Sequence, residues 1–171
     1  MIQRPNSDEY AEFYAGYVAR VPDGDVLQML QDQRQQLADL LRGVSDEQAQ
    51  VYPAPGEWNI KEVIGHLNDA ERVFSYRALR ISRKDATPLS GFEQNEFVRE
   101  SNFSAVPLSD LLEEFDSLRA ANLLLFKHLT PEMLTVRGTA SNNTVTPRAL
   151  VYIIAGHTDG HIESLRTVYL K

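Results

Sequence analysis

The stretch "NIKEVIGHLNDAERVFSYRALRIS", residues 59–82, decides the fold because it predicts a helix with one continuous apolar face. Asn59 and Glu62 have the spacing of a capping box, in which each side chain bonds the backbone N–H of the other residue. Apolar residues then recur every three or four positions, as expected for one side of a helix. They are Ile60, Val63, Ile64, Leu67, Ala70, Phe74, Ala78 and Ile81.

Three other segments have the same helical period. They run from about Asp25 to Leu41, from about Ser109 to His128 and from about Pro147 to Tyr169. Asp25 has Gln28 at capping-box spacing, and a proline directly after Thr146 is a signal for the start of a helix.

A shorter amphipathic helix is predicted at the N-terminus, ahead of the four long ones. Asn6 and Glu9 would cap it. Four aromatic residues would line one of its faces, which either closes the bundle or forms a contact between two copies of the chain. They are Tyr10, Phe13, Tyr14 and Tyr17.

These segments predict an all-α fold, a four-helix bundle in a single domain covering residues 1–171. No segment is typical of a sheet, because the β-branched residues of "SNNTVTPRALVYII" are followed by a proline and a helical period. The link from Arg83 to Pro107, about 25 residues, is much longer than usual between bundle helices. We therefore expect it to cross the bundle or cover a site, so that the second and third helices can run parallel.

The composition restricts the classes of function. The chain has 171 residues, 43% of them hydrophobic, and no apolar run long enough for a membrane helix. The first ten residues contain no hydrophobic signal region, so we expect a cytoplasmic protein. A net charge of −7 argues against nucleic acid as a partner. The absence of cysteine excludes disulfides, thiolate ligands and a protein thiol nucleophile.

His157 and His161, in "AGHTDGHIESLR", fall one turn apart on the inward face of the fourth helix. A buried imidazole needs partners for its two ring nitrogens, and the remainder of this face is aliphatic. The spacing lets both rings meet one metal ion, although the glutamate of the H-E-x-x-H motif is replaced by Thr158. Two core histidines hydrogen-bonded to neighbouring side chains remain the alternative.

A third ligand would have to come from another helix. His66 lies on the flank of the second helix's apolar face, about 90° from its centre, which is compatible with facing a neighbouring helix. His128 ends the third helix, where the helix dipole favours a histidine without any metal.

Glu71 is a carboxylate near the middle of the second helix's apolar face, and Arg34 similarly interrupts the first helix. One interpretation is a partly buried ion pair between them. The other makes Glu71 a catalytic residue that accepts a proton, or a partner that orients a ligand histidine.

Together, "PAPGEWNIKEVIGHLNDAERVF" and "GHTDGHIESLR" resemble the DinB-like superfamily, a group of metal-binding helix-bundle proteins. The resemblance extends to "YVARVPDGDVLQML", "GFEQNEFV" and "LLEEFDSLRAANLLLFKHL", and so covers most of the chain. It implies helices ordered up-down-down-up and a divalent metal, often nickel or zinc, held by three histidines. Carried over by position, these are His66, His157 and His161.

The resemblance also implies chemistry on small molecules. Some members of this group are S-transferases that use a low-molecular-weight thiol, and a few are isomerases. We therefore expect a metal-dependent transferase or hydrolase with a small-molecule substrate and possible dimerisation. The loop "GTASNNTVT" and the residues from Glu93 to Glu96 could line its entrance. The alternative is a non-catalytic bundle that either holds a structural metal or forms an interface with a partner. A structural metal would be closed off by a fourth protein ligand, for which Glu71 is the candidate.

Overall fold

The computed structural model describes residues 1–171 and contains eight α-helices and one two-stranded sheet. The helices are α1 (Ala15–Arg20), α2 (Val26–Leu40), α3 (Asp46–Ala49), α4 (Ile60–Ser82), α5 (Gln94–Glu100), α6 (Leu108–Lys127), α7 (Pro131–Leu134) and α8 (Pro147–Ser164). The strands are β1 (Gly138–Ala140) and β2 (Asn143–Val145). A π-helical turn, Leu165–Tyr169, extends α8.

The four long helices α2, α4, α6 and α8 form the predicted bundle, and the capping residues explain where they begin. At the start of α4, Asn59 and Glu62 bond each other's backbone N–H groups, each at 3.0 Å. Thr146 caps α8, with Pro147 in the first turn. Asp25 caps α2 through the backbone N–H of Leu27, but Gln28 does not complete a box there.

The contacts between helices give their directions. Asn68 of α4 bonds the carbonyl of Leu111, and one turn later Glu71 meets Arg119, so α4 and α6 run parallel. The start of α4 packs with the end of α8, while the end of α4 packs with the start of α8. These two helices are therefore antiparallel. The bundle has the expected up-down-down-up order, with the long crossover joining α4 to α6.

The core consists of two apolar clusters with polar side chains between them. One cluster contains Phe74, Ile81 and the first half of α8, and the other contains Leu37, Phe115 and the end of α8. Between the clusters, buried polar side chains project from all four long helices. They are Gln33, His66, Asn68, Glu71, Arg119, His157 and Thr158.

The expectation that the chain contains no sheet is wrong for residues 138–145. Strands β1 and β2 pair antiparallel around Ser141 and Asn142, which both have positive φ (50° and 63°). This backbone suits a tight hairpin turn. Leu89 of the crossover hydrogen-bonds to both Thr139 and Ser141. The hairpin therefore anchors the crossover at the end of α4.

The N-terminal segment differs from the single helix that we expected. It forms two 3-10 turns, Ser7–Glu9 and Glu12–Tyr14, followed by α1. Tyr10, Tyr14 and Tyr17 pack against the core, whereas Phe13 is 75% exposed. The aromatic face therefore mainly closes the bundle. None of the helices combines the length and the apolar character needed to span a lipid bilayer.

Candidate metal centre

The structure brings His66, His157 and His161 together, with their Nε2 atoms facing one another. The His66 and His157 Nε2 atoms are 2.9 Å apart, and those of His161 and His157 are 3.2 Å apart. One potential ligand atom from each residue lies within 4.8 Å of the other two. His66 comes from α4 and the other two come from successive turns of α8.

This arrangement fits a metal ion better than it fits hydrogen bonding. The hydrogen-bonding contacts of the three rings are with one another, and none is with a carboxylate or a hydroxyl. A single Nε2 lone pair on His157 cannot satisfy both of its neighbours. Three nitrogens bound tetrahedrally to zinc at its usual bond length would be about 3.3 Å apart. The two short distances, 2.9 Å and 3.2 Å, are close to that value.

Burial keeps all three imidazoles neutral at pH 7. It lowers the pKa of His66 to about 3, with a further contribution from the nearby His161, and it lowers the pKa of His161 to about 4. Burial also lowers the pKa of His157 well below its usual value. Because only a neutral imidazole has a lone pair for coordination, the rings are ready to bind a cation without first losing protons.

Each of the three histidines directly follows a glycine, and another segment lies close to each glycine. A Cβ atom on Gly156 would be 1.8 Å from the backbone oxygen of Tyr17, and one on Gly65 would be 2.3 Å from the ring of Phe103. A Cβ on Gly160 would meet only the Arg20 side chain, at 3.5 Å. The glycines thus let the N-terminal segment and the crossover pack closely beside the histidines.

Aromatic rings surround the histidine cluster. The ring centroid of Trp58 is 4.8 Å from that of His66, while Tyr17 and Phe74 lie 5.3 Å and 6.2 Å from His157. The Tyr17 hydroxyl is protonated at neutral pH, as tyrosines ordinarily are, and burial raises its pKa further. The cluster therefore lies in a largely apolar environment.

A cavity of about 290 Å³ opens onto two of the histidines. Its lining consists of Phe13, Tyr14, Tyr17, His66, Ala70, Phe74, Phe92, Glu93, Gln94 and His157. The third histidine, His161, lines a second cavity of about 260 Å³, beside Trp58 and Tyr169. Small molecules can thus approach the cluster from two sides.

Of the residues predicted to line the entrance, Glu93 and Gln94 border the first cavity. Asn95 borders the second. Glu96 and the loop of residues 138–146 border neither cavity.

Glu71 is buried as expected, but its partner is Arg119 and not Arg34. The Arg119 guanidinium donates to both carboxylate oxygens of Glu71 at 3.0 Å, and Asn122 donates to one of them. Arg34 instead pairs with Asp116 at the surface. Glu71 lies outside the lining of the cavity and outside the histidine cluster.

Arg119 links this ion pair to the histidine cluster. It donates to the hydroxyl of Thr158, the residue after His157, at 2.9 Å. The sequence reasoning missed Arg119, although its spacing of four residues from Phe115 puts it on the inward face of α6. His128 is exposed at the end of α6 and takes no part in the cluster.

The sequence profile of the DinB superfamily matches residues 29–165. No curated protein sequence matches the chain significantly.

Two solved structures have a similar fold. YfiT from Bacillus subtilis, described as a probable metal-dependent hydrolase with an unusual four-helix bundle topology, superposes with a TM-score of 0.77. The match covers 97% of this chain and 91% of YfiT at 14% sequence identity. A mycothiol-dependent maleylpyruvate isomerase superposes with a TM-score of 0.69 at 12% identity. That match covers 86% of this chain but 62% of the isomerase.

Proposed function

This chain belongs to the DinB superfamily, and we propose that it is a metal-dependent enzyme in which His66, His157 and His161 hold one divalent ion. The observation that carries the proposal is the convergence of three neutral imidazoles beside a cavity large enough for a small molecule. Zinc or nickel is the ion that membership of this superfamily implies, and imidazole nitrogen is a suitable ligand for both.

The surroundings of the three histidines favour an accessible catalytic metal site over a closed structural one. The three histidines form the only group of this kind, with no aspartate or glutamate close enough to complete the coordination. Glu71, the one candidate for a fourth ligand, has both carboxylate oxygens bonded by Arg119. A divalent ion with three protein ligands supplies Lewis acidity and an open coordination position.

The residues around the site hold and orient the reactants. The cavity walls are largely aromatic, and the protonated hydroxyl of Tyr17 can donate a hydrogen bond to a substrate. Glu71 does not line this cavity, which argues against direct proton transfer to its carboxylate. We assign it instead a positioning role, through Arg119 and Thr158, on the turn of α8 that carries His157.

The metal assignment is tested by elemental analysis of purified protein after loading with zinc or nickel. Wild type should bind about one ion per chain, whereas His66→Ala, His157→Ala and His161→Ala should lose tight binding and keep a helical circular dichroism spectrum. His128→Ala is the matched control, because that histidine is exposed and remote from the cluster. Full occupancy in both the His157 and His161 variants would show that the assignment is wrong.

The reaction class is tested with metal-loaded protein and a panel of small esters, amides and electrophiles, with and without an added low-molecular-weight thiol. Turnover that requires the thiol supports an S-transferase, since the chain has no thiol of its own. Turnover without it supports a hydrolase. No turnover, together with X-ray absorption showing an ion closed off by protein ligands, would support the non-catalytic alternative. Sedimentation of the same sample tests whether the chain forms a dimer.

A further inference from the structure

The charge distribution around the first cavity is one-sided. Glu93 is the only charged residue in its lining, because the two histidines at its base are neutral. No lysine or arginine lines it. The chain as a whole carries a net charge of −7, so the wider field also favours a cation.

Two cationic side chains close to lining residues of the cavity, Arg77 and Arg20, already have partners. Arg77 lies over the ring of Phe74, 5.7 Å from its centroid, and donates to the carbonyl of Ser90 at 2.7 Å. Arg20 pairs with Asp159 and Glu163 on the outer side of α8. A carboxylate or phosphate entering the outer part of this cavity would therefore meet no free cation.

The walls of the cavity are aromatic rings that pack edge to face. Tyr14 and Phe74 have ring centroids 6.0 Å apart, Phe74 and Phe92 are 6.4 Å apart, and Phe13 packs on Tyr14 at 5.2 Å. The faces of such rings attract ammonium groups, and several rings together form the kind of cage that binds alkylated amines.

From these observations we infer that the outer part of the cavity selects substrates whose end distant from the metal is cationic, an amine or a quaternary ammonium group. The aromatic rings would contact this group, and the Glu93 carboxylate would balance its charge. The inference rests on the proposed function, because the other end of the substrate has to reach the ion held by the histidines.

The test compares three benzohydroxamates that share one metal-binding head and differ only in the para group: aminomethyl, methyl or carboxylate. The hydroxamate is common to all three, so its coordination to the metal is the same in each case. The positive charge of the ion favours the carboxylate group and so works against the preference that we expect. Calorimetric titration of the zinc-loaded protein should give the tightest binding for the aminomethyl probe and the weakest for the carboxylate probe. We expect about a tenfold difference in Kd between these two.

Two variants assign the preference to particular residues. Glu93→Gln should reduce the tenfold difference to about threefold or less, while Glu96→Gln should leave it unchanged. Glu96 is the matched control because it lies in the first turn of α5, the helix that Glu93 caps, without lining the cavity. Phe13→Leu should weaken the aminomethyl probe more than the methyl probe, and Phe13 is exposed enough for this change to spare the core.

The possible failures can be told apart. Equal Kd values for the three probes, or tightest binding of the carboxylate probe, would overturn the inference and leave the accessible metal site intact. A preference for the aminomethyl probe that persists unchanged in Glu93→Gln would overturn the role of Glu93. Failure of all three probes to bind zinc-loaded protein would contradict the proposed function, and the inference would fail with it.

Discussion

The Arg119 side chain is fully buried, yet each of its N–H groups has an acceptor. It makes five hydrogen bonds, two to Glu71 and one each to Leu30, Gln33 and Thr158. Its guanidinium also lies 4.9 Å from the centroid of the Phe115 ring. One residue thus joins α6 to the three other long helices of the bundle.

Arg119→Met should destabilise the fold by about 3–5 kcal/mol, because it leaves the Glu71 carboxylate buried without a counter-charge. Urea unfolding of the purified variant measures this cost. Arg34→Met is the control, since its pair with Asp116 is partly exposed and should contribute less than about 1 kcal/mol. A loss of stability no larger than that of the control would contradict the prediction. The double variant Arg119→Met/Glu71→Leu should recover much of the loss.

From the sequence, a polar residue on an apolar helix face is easier to identify than the residue that pairs with it. The helical period put Glu71 on an inward face, and the structure confirms its burial. The same reasoning put His66 on a flank compatible with facing a neighbouring helix, and its ring is buried against α8, but the period alone did not single it out as the partner of His157. Which side chains pair depends on the distance and the angle between two helices. The apolar period of a single helix gives neither of these. The choice of Arg34 over Arg119 failed for that reason.

At the scale of elements, the junction between α1 and α8 depends on one glycine. Gly156→Ala would put a Cβ 1.8 Å from the Tyr17 carbonyl oxygen, so the backbone has to move. We expect a loss of about 1–3 kcal/mol in the free energy of unfolding from this overpacking, measured by urea titration.

Gly160→Ala is the matched control in the same helix, one turn later. Its Cβ would be 3.5 Å from the nearest atom, on the flexible side chain of Arg20. Alanine is the better helix former, so this variant should be unchanged or more stable by up to about 1 kcal/mol. Equal free energies of unfolding for the two variants would show that Gly156 is not required for the close packing of α1.

The long helices were predictable because capping residues and period agree. The bounds of α4 are those that the sequence indicates, and those of α2 and α6 differ by about one residue, as boundaries often do. The hairpin was missed because its strands have three residues each, too few to establish an alternating pattern. The only local signal was "SNN", whose asparagines tolerate positive φ.

At the scale of the whole molecule, Glu9 links the N-terminal segment to the start of α8 through hydrogen bonds and an ion pair. Its carboxylate accepts hydrogen bonds from Arg148 and from the hydroxyl of Thr146. Burial by itself would raise the pKa of Glu9, but the bonds from Arg148, the Asn6 backbone and Thr146 outweigh burial and lower this pKa to about 2.

The stability that Glu9 provides should therefore depend on pH. It is fully present above the unfolded value of 4.5 and is lost as the pH falls towards 2, because the unfolded chain takes up the proton first. The difference in Tm between wild type and Glu9→Gln should be largest near pH 6 and smaller near pH 3. Thermal melts followed by circular dichroism test this, and a pH-independent difference would contradict it.

The up-down-down-up order of the helices was predictable from the length of one connection, the link from Arg83 to Pro107. A chain segment of that length can return along the bundle, so α4 and α6 can point the same way, as they do. The two cavities could not be foreseen. Their walls combine the N-terminal segment, the crossover and the turn around Trp58, and no local pattern fixes how these irregular segments meet.

Trp58, which lies against His66, is the only tryptophan in the chain. All indole fluorescence of this protein therefore originates beside the histidine cluster. Paramagnetic Ni²⁺ or Co²⁺ should quench the emission strongly, whereas closed-shell Zn²⁺ should mainly shift it. The same signal should respond when a ligand enters the second cavity, which Trp58 lines, so candidate ligands of that cavity can be screened by intrinsic fluorescence, without a label.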